Sequence, residues 1–286
     1  MKLSVILVIS FEKPQLVSEA LEAVFASRTG FAYEVIVVDN ASREAAAALA
    51  SFSGRLKVVR NEENLGFTRA NNLGVSKAQG EYLLFLNSDT RVMPDALARL
   101  VDFADVHPQA GAVGPLVLNA DGTFQLSFGR PISLFAEFWQ KAVAGWRARR
   151  TDPSKLGTME VGWVSGCCLL TRREYFPDRR VFDEEIFLYF DDSELCARLE
   201  RLGKKIYFFP AASIIHYGGA SVRSLPARTA VEYRRSQLHV YRKHLPRWQG
   251  TVLKLYLGLK FRWKKRCSRS EEERQAAVQV MDLLKE

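Results

Sequence analysis

The residues of this chain that could do chemistry gather at a few points. Residues 187–199 read FLYFDDSELCARL, so Asp191, Asp192 and Glu194 fall within four positions behind an aromatic run. Acids are favoured in the first turn of a helix by its dipole. Three together exceed what capping asks, and a carboxylate beside a hydroxyl can act as a general base. Asn87-Ser88-Asp89 closes an apolar run. Mg²⁺ and Mn²⁺ take oxygen ligands and are often held by one or two carboxylates plus substrate phosphates, so Asp89 is a candidate ligand. Ser10-Phe11-Glu12, Asp39-Asn40 and Arg60-Asn61 end three further apolar runs. His216 stands in IIHYGGAS, where paired glycines let a phosphate or metal come close to the backbone. Asn64, Gly66, Asn71 and Asn72 offer amides that can bond ribose or phosphate, or simply make a turn.

Something must hold these groups together, and the first half of the chain has the pattern for it. Residues 4–10 (SVILVIS) read as a doubly buried strand, followed by a helix opening at Pro14 with Val17, Leu21, Val24 and Phe25 on one face. Further strands are expected at 34–38, 56–60 and 81–86, with helices over 67–78 and from Pro94, where Leu97, Leu100, Val101 and Ala104 share a face. Strand–helix alternation at this spacing predicts a mostly parallel sheet covered on both sides. Ligands of such sheets bind beyond the carboxyl ends of the strands, where the polar residues named above fall. Neither GxGxxG nor GxxxxGK[ST] occurs, so phosphate binding needs another device.

The 286 residues suit one large domain or a domain with an appendage, and the 26% charged, 48% hydrophobic composition excludes disordered and fibrous classes. Met1 to Phe11 is too short for a signal peptide, runs straight into Glu12-Lys13-Pro14 and lacks a small-residue cleavage site; it reads as a first strand. No apolar run approaches a spanning helix. The four cysteines form no CxxC pair, as expected of a reduced, cytoplasmic chain. Cys167 and Cys168, in the apolar run VSGCCLL, read as core. The net charge of +9 is uneven: residues 223–269 carry 14 Lys and Arg against Glu232 alone, which is +13 and leaves −4 for the rest. Val252, Leu255, Tyr256, Leu259 and Trp263 share one helical face, with Lys254, Arg262 and Lys265 on another. Followed by Lys264-Lys265-Arg266, the 252–266 helix reads as amphipathic and basic, suited to an anionic membrane face or to packing on protein. A final helix is expected over 271–286.

In order, VILVISFEK, VIVVDNAS, NEENLGFTRANNLG, GEYLLFLNSDT, VGWVSGCCLLTRREYF, FDEEIFLYFDDSELCARL and IIHYGGAS resemble the family 2 glycosyltransferases, over roughly residues 4–221. The NLGF and LNSDT variants are most similar to the bacterial rhamnosyltransferase-type branch. The resemblance implies an α/β fold of the GT-A kind, Rossmann-like, with a GT-A domain over 1–221 and a basic helical extension over 222–286. It implies inverting transfer from a nucleotide-sugar donor, dTDP-rhamnose or a UDP-sugar, to a glycan or lipid-linked acceptor in cell-envelope polysaccharide synthesis. Mg²⁺ or Mn²⁺ is the implied cofactor, and the inner face of the membrane the implied place.

Residue by residue, the resemblance makes Asp39 the reader of the nucleotide base and puts Asn87-Ser88-Asp89 at the metal-binding DxD position, with Asn in place of the first acid. Glu12, Asn64 and Asn72 join these on the donor side, although Ser10-Phe11-Glu12 departs from the frequent Asn-Tyr-Asn. Asp192 is the implied catalytic base, with Asp191 beside it; His216 matches a histidine that in some members completes the metal shell. Trp163, Gly166 and Glu194 fall in the wall of the sugar and acceptor pocket. Two other classes compete. A nucleotidyltransferase would also use a nucleotide-binding sheet and metal carboxylates, but residues 10–16 (SFEKPQL) lack its Gly-rich basic loop. A basic nucleic-acid-binding module would explain the tail but not the FLYFDDSEL and IIHYGGAS blocks.

Overall fold

A computed structural model describes residues 1–10, 14–42, 45–218, 226–268 and 270–285. The strands are β1 (Leu3–Ile9), β2 (Tyr33–Asn40), β3 (Lys57–Asn61), β4 (Tyr82–Asn87), β5 (Thr90–Val92), β6 (Ala110–Leu118), β7 (Phe128–Gly129), β8 (Met159–Val161), β9 (Trp163–Val164), β10 (Cys168–Arg172) and β11 (Lys205–His216). The helices are α1 (Pro14–Phe25), α2 (Ala45–Ala50), α3 (Phe67–Lys77), α4 (Ala96–Val106), α5 (Leu134–Arg150), α6 (Asp191–Arg201), α7 (Pro226–His244), α8 (Arg247–Cys267) and α9 (Glu271–Leu283).

The main sheet runs β3-β2-β1-β4-β10-β6-β11-β5, with β8 against β11. β1, β2, β3 and β4 are parallel, as strand–helix alternation predicts. β10 enters antiparallel to both β4 and β6; beyond it β6 and β11 are parallel, while β5 and β8 pair antiparallel with β11. Alternation along β1 shows why both faces are covered. Leu3, Val5, Leu7 and Ile9 pack with α1 and α4 on one side, while Ile6 joins a second core with Val75 of α3 and Leu195 of α6. Such double burial demands the near-continuous apolar run that residues 4–10 display.

The helices after residue 226 build a smaller core of their own from Val231, Tyr241, Leu253, Leu257, Phe261, Ala277 and Val280. α8 buries Leu253, Leu257 and Phe261, and leaves the expected apolar stripe of Val252, Leu255, Tyr256, Leu259 and Trp263 exposed. Among the described residues no helix is long and apolar enough to cross a membrane.

Candidate active site

The carboxyl ends of β1 and β4 open onto a cavity of about 340 Å³. Asn64 and Gly66 line it before α3, Asn87, Ser88 and Asp89 between β4 and β5, and Ser165, Gly166 and Cys167 before β10. Asp191 and Asp192 of α6 and His216 at the end of β11 complete the polar wall. A second cavity, of about 310 Å³, lies under α5 and also takes Asp191 and Asp192 into its wall, beside Trp163, Glu137, Lys141 and Tyr233. The acid pair therefore separates two rooms.

One end of the first cavity fits a divalent cation. Asp89 Oδ1 and His216 Nε2 are 3.1 Å apart, and the Asn87 amide nitrogen is 3.4 Å from the same ring nitrogen. Two donors on adjacent corners of an octahedral ion, at about 2.1 Å each, stand about 3 Å apart. The other ring nitrogen, His216 Nδ1, is 2.9 Å from Gln125 Oε1. An N–H donated there leaves the Nε2 lone pair directed at Asp89, the device by which ligand histidines are commonly held. Among the described residues no group of three or more His, Cys, Asp or Glu could hold a metal. A carboxylate and an imidazole here leave the remaining positions to substrate phosphates and water, as Mg²⁺ and Mn²⁺ sites usually do.

The acid pair sits at the start of α6 because the chain enters that helix through two left-handed residues, Tyr189 (φ +66°) and Phe190 (φ +61°). Neither is glycine, and such a conformation is sparsely populated for bulky side chains. It is buttressed from α7, where Tyr233 packs its ring 5.5 Å from Tyr189 and 5.0 Å from Phe190, and Ser236 Oγ donates to Leu188 O at 2.7 Å. Burial raises the pKa of Asp191 to about 8, with the Asp192 charge adding to it. Burial raises Asp192 as well. Three hydrogen bonds oppose that: Asp192 Oδ2 accepts from Gly166 N (3.2 Å), and Oδ1 from Ser193 N (2.7 Å) and Ser193 Oγ (3.2 Å). Asp191 therefore keeps a proton more readily than Asp192, whose three hydrogen bonds favour the ionised form. Burial pushes the Cys167 thiol up to about 12, which makes it no nucleophile.

Several expected residues lie elsewhere. Asn72 is used up inside the protein: its amide donates to Phe182 O at 2.9 Å and accepts from Val181 N (3.0 Å) and Phe182 N (2.9 Å). It staples residues 181–184 to α3 and does not line the cavity. Glu194 points away from both cavities. It is fully buried, with Arg198 Nε at 3.0 Å, Lys243 Nζ at 2.9 Å and His244 Nε2 at 3.1 Å. Burial opposes its ionisation, yet His244, Arg198 and Lys243 outweigh this and hold its pKa below the usual carboxylate range. Its work is to tie α6 to α7. Asp39, one residue before the end of β2, pairs in register with Ile9, its Oδ1 accepts from Ser42 N at 2.9 Å, and it lies outside the cavity lining. Trp163 lines the second cavity and Gly166 the first. Glu12 lies outside the described residues.

Gln125, Arg228 and the left-handed Tyr189-Phe190 pair belong to the site without having been legible in the sequence. Gln125 is 91 residues from the histidine it orients, and no local pattern marks it. Arg228 lines the first cavity with its guanidinium 5.7 Å from the Phe187 ring. Its only signal was membership of the +13 segment.

The sequence matches the family described as Glycosyl transferase family 2 over residues 4–180. It is 28% identical over 242 residues to N-acetylglucosaminyl-diphospho-decaprenol L-rhamnosyltransferase of Mycobacterium tuberculosis, covering 76% of this chain and 78% of that one. Rhamnosyltransferase WbbL of Escherichia coli is 27% identical, over 56% of this chain and 63% of its own length. The solved mannosyltransferase PcManGT of Pyrobaculum calidifontis, in complex with GDP-Man and Mn²⁺, superposes with a TM-score of 0.60 at 18% identity, over 99% of this chain and 73% of its own. A structure of GalNAc-T7 with UDP, GalNAc and Mn²⁺ gives 0.59 at 17% identity, over 83% of this chain and 48% of its own. These likenesses show the GT-A fold.

Proposed function

The chain belongs to glycosyl transferase family 2, and from that premise we propose that it transfers a sugar, with inversion, from a nucleoside-diphosphate sugar to a hydroxyl of a glycan or lipid-linked saccharide in cell-envelope polysaccharide synthesis. The observation that carries this reading is the acid pair in the wall between two cavities, one of which ends on Asp89 and His216. Rhamnosyltransferases among the relatives favour dTDP-rhamnose as donor, with a UDP-sugar as the alternative. The decaprenol in one relative's name favours a lipid-linked acceptor.

In this reading the donor occupies the first cavity, its diphosphate toward Asp89 and its base toward the end of β2. There Asp39 is the group to pair with the ring N–H that thymine and uracil share. Asp89 and His216, with Asn87 beside them, would hold Mg²⁺ or Mn²⁺, which would supply neutralisation of the charge that grows on the departing diphosphate. Arg228 adds a positive charge at the rim, and Asn64 and Ser88 offer polar groups along the wall. The acceptor hydroxyl enters from the second cavity, past Trp163. Asp192 takes its proton, a contribution of about 10²–10⁴-fold in rate. Gly166 N–H on Oδ2 and Ser193 on Oδ1 fix the carboxylate that does so, and Asp191 keeps its own proton, which spares the wall a second charge. Attack opposite the leaving group, through an oxocarbenium-like state, inverts the anomeric carbon.

Residues 1–221 act here as the catalytic unit and 222–286 as a helical extension that works at the inner membrane face. The test is Asp192→Asn. Transfer should vanish while nucleotide with Mn²⁺ still raises the unfolding temperature, since ligand binding to the folded state stabilises it by mass action. Normal turnover in that variant refutes the assignment, and the same thermal assay across a panel of nucleotide sugars identifies the donor.

A further inference from the structure

Two faces of α5 do different things. The inner face lines the second cavity with Ala136, Glu137, Gln140, Lys141 and Ala144. The outer face presents Phe135 (70% exposed), Phe138 (69%), Trp139 (55%) and Trp146 (61%), at i, i+3, i+4 and i+11 on one stripe. Four large aromatics facing water from one helix exceed the scattered exposure that a monomer's surface normally carries. α8 repeats the arrangement with Trp248, Leu255, Tyr256, Leu259 and Trp263 outward, all between 47% and 70% exposed. The two helices are joined at their starts: Leu134 N, next to Phe135, donates to Gln249 Oε1, next to Trp248, at 2.8 Å.

The charges that α5 and α8 themselves carry are nearly all of one sign, while the acids Glu271, Glu272 and Glu273 open the neighbouring helix α9. α8 contains no acid and holds Lys254, Lys260, Arg262 and Lys264-Lys265-Arg266. α5 carries Arg150 at its end, and its single acid, Glu137, is turned inward to accept from Gln237 Nε2 (2.7 Å) and Tyr241 OH (2.8 Å). Cations flank the aromatics directly, with Arg150 5.7 Å from the Trp146 ring and Lys260 5.7 Å from that of Tyr256. Trp and Phe between Lys and Arg is the composition of a helix that lies in the headgroup boundary, where aromatic bodies enter the apolar layer and long cations reach anionic lipid.

We propose that α5 and α8 form one two-helix platform that lies on an anionic bilayer, and that α5 separates the lipid on its outer face from the acceptor cavity on its inner face. An acceptor anchored in the membrane by its lipid would then reach Asp192 around the edge of α5 without leaving the bilayer. That last clause rests on the glycosyl-transfer reading; the docking itself does not.

The experiment is co-sedimentation of the full chain with vesicles of phosphatidylcholine and phosphatidylglycerol, against phosphatidylcholine alone. The triple variant Phe135→Ser, Phe138→Ser, Trp139→Ser should lose at least about tenfold in binding to the anionic vesicles, as removal of that much inserted apolar surface requires. Thermal stabilisation by nucleoside diphosphate with Mn²⁺ should be unchanged in the variant, which reports an intact fold. Undiminished vesicle binding by the variant overturns the proposal, as does loss through Leu255→Ser, Leu259→Ser, Trp263→Ser alone. Sedimentation velocity covers the other occupant: a parent dimer that the α5 variant makes monomeric, without vesicle binding by either, assigns the face to a second copy and refutes the membrane. Transfer by the parent without vesicle binding refutes the docking and leaves the reaction intact; the converse refutes only the reaction.

Discussion

Two neighbouring carboxyls in one wall cannot both ionise at low cost, and Asp191 bears the consequence. Its pKa is raised to about 8 by burial and by Asp192, whereas an exposed Asp in the unfolded chain ionises near about 4. Between those values the folded chain holds a proton that the unfolded chain has released. Stability therefore falls as pH rises through that window, with no penalty below about 4 and the full penalty above about 8. Asn at this position cannot ionise. Asp191→Asn should accordingly raise the unfolding temperature over the parent, with a gap that widens from pH 5 to pH 8 in scanning calorimetry. A gap independent of pH would refute the proton assignment. Gln125 illustrates the opposite kind of residue: uncharged, far off in sequence, and committed to a single imidazole N–H.

At the scale of elements, the turn before α3 shows why a motif has its spelling. Gly66 has φ +83° and ψ 174°, a region essentially reserved for glycine, and a Cβ there would meet Phe187 Cδ2 at 2.6 Å and Phe187 O at 2.8 Å. That carbonyl already accepts from Phe67 N at 2.9 Å, so the loop cannot retreat without breaking the bond. Gly66→Ala should cost about 1–3 kcal/mol from the backbone conformation alone, with the contact adding to it. Thermal unfolding measures the loss, and nucleotide with Mn²⁺ should stabilise the variant less than the parent because Gly66 and Asn64 share the cavity wall. The parallel strands and their polar ends were legible because double burial forces continuous apolar runs. Asp89, Asp192 and His216 were legible because each follows such a run or opens a helix. Asn72 and Glu194 were misread for one reason: sequence shows an amide or an acid near the site, while its partners, Phe182 and His244, are decided by packing. α5 carried a readable aromatic stripe in residues 135–146, but no chemistry-bearing motif pointed to it.

The whole molecule is less divisible than a boundary near residue 221 suggests. α7 reaches back into the loop that leads to the acid pair: Lys243 Nζ bonds Asp183 Oδ2 at 2.6 Å and Glu194 Oε1 at 2.9 Å, and His239 Nε2 lies 2.8 Å from Asp183 Oδ2. Burial opposes ionisation of Asp183, but Lys243 and His239 hold its pKa well below the carboxylate range. Together with Tyr233 and Ser236, these contacts hold residues 181–192 in the shape that delivers the acid pair. Lys243→Met should therefore lower kcat by roughly tenfold or more, since small displacements of a positioned group are costly. The nucleotide's dissociation constant, governed by the far end of the cavity, should change little. Equal damage to both would mean that α7 supports the fold in general and not the loop in particular.

One consequence follows from the wall that Asp191 and Asp192 share. Apart from that shared wall the cavities are separate, so on the proposed reading neither substrate must vacate a room for the other to arrive. Both can be resident at once, with the displaced diphosphate and the attacking hydroxyl on opposite sides of one carbon. Such an arrangement has no use for a sugar parked covalently on the protein. If the proposed transfer holds, the expected steady state is that of a ternary complex, in which double-reciprocal plots against either substrate intersect and the parallel lines of a ping-pong scheme are absent.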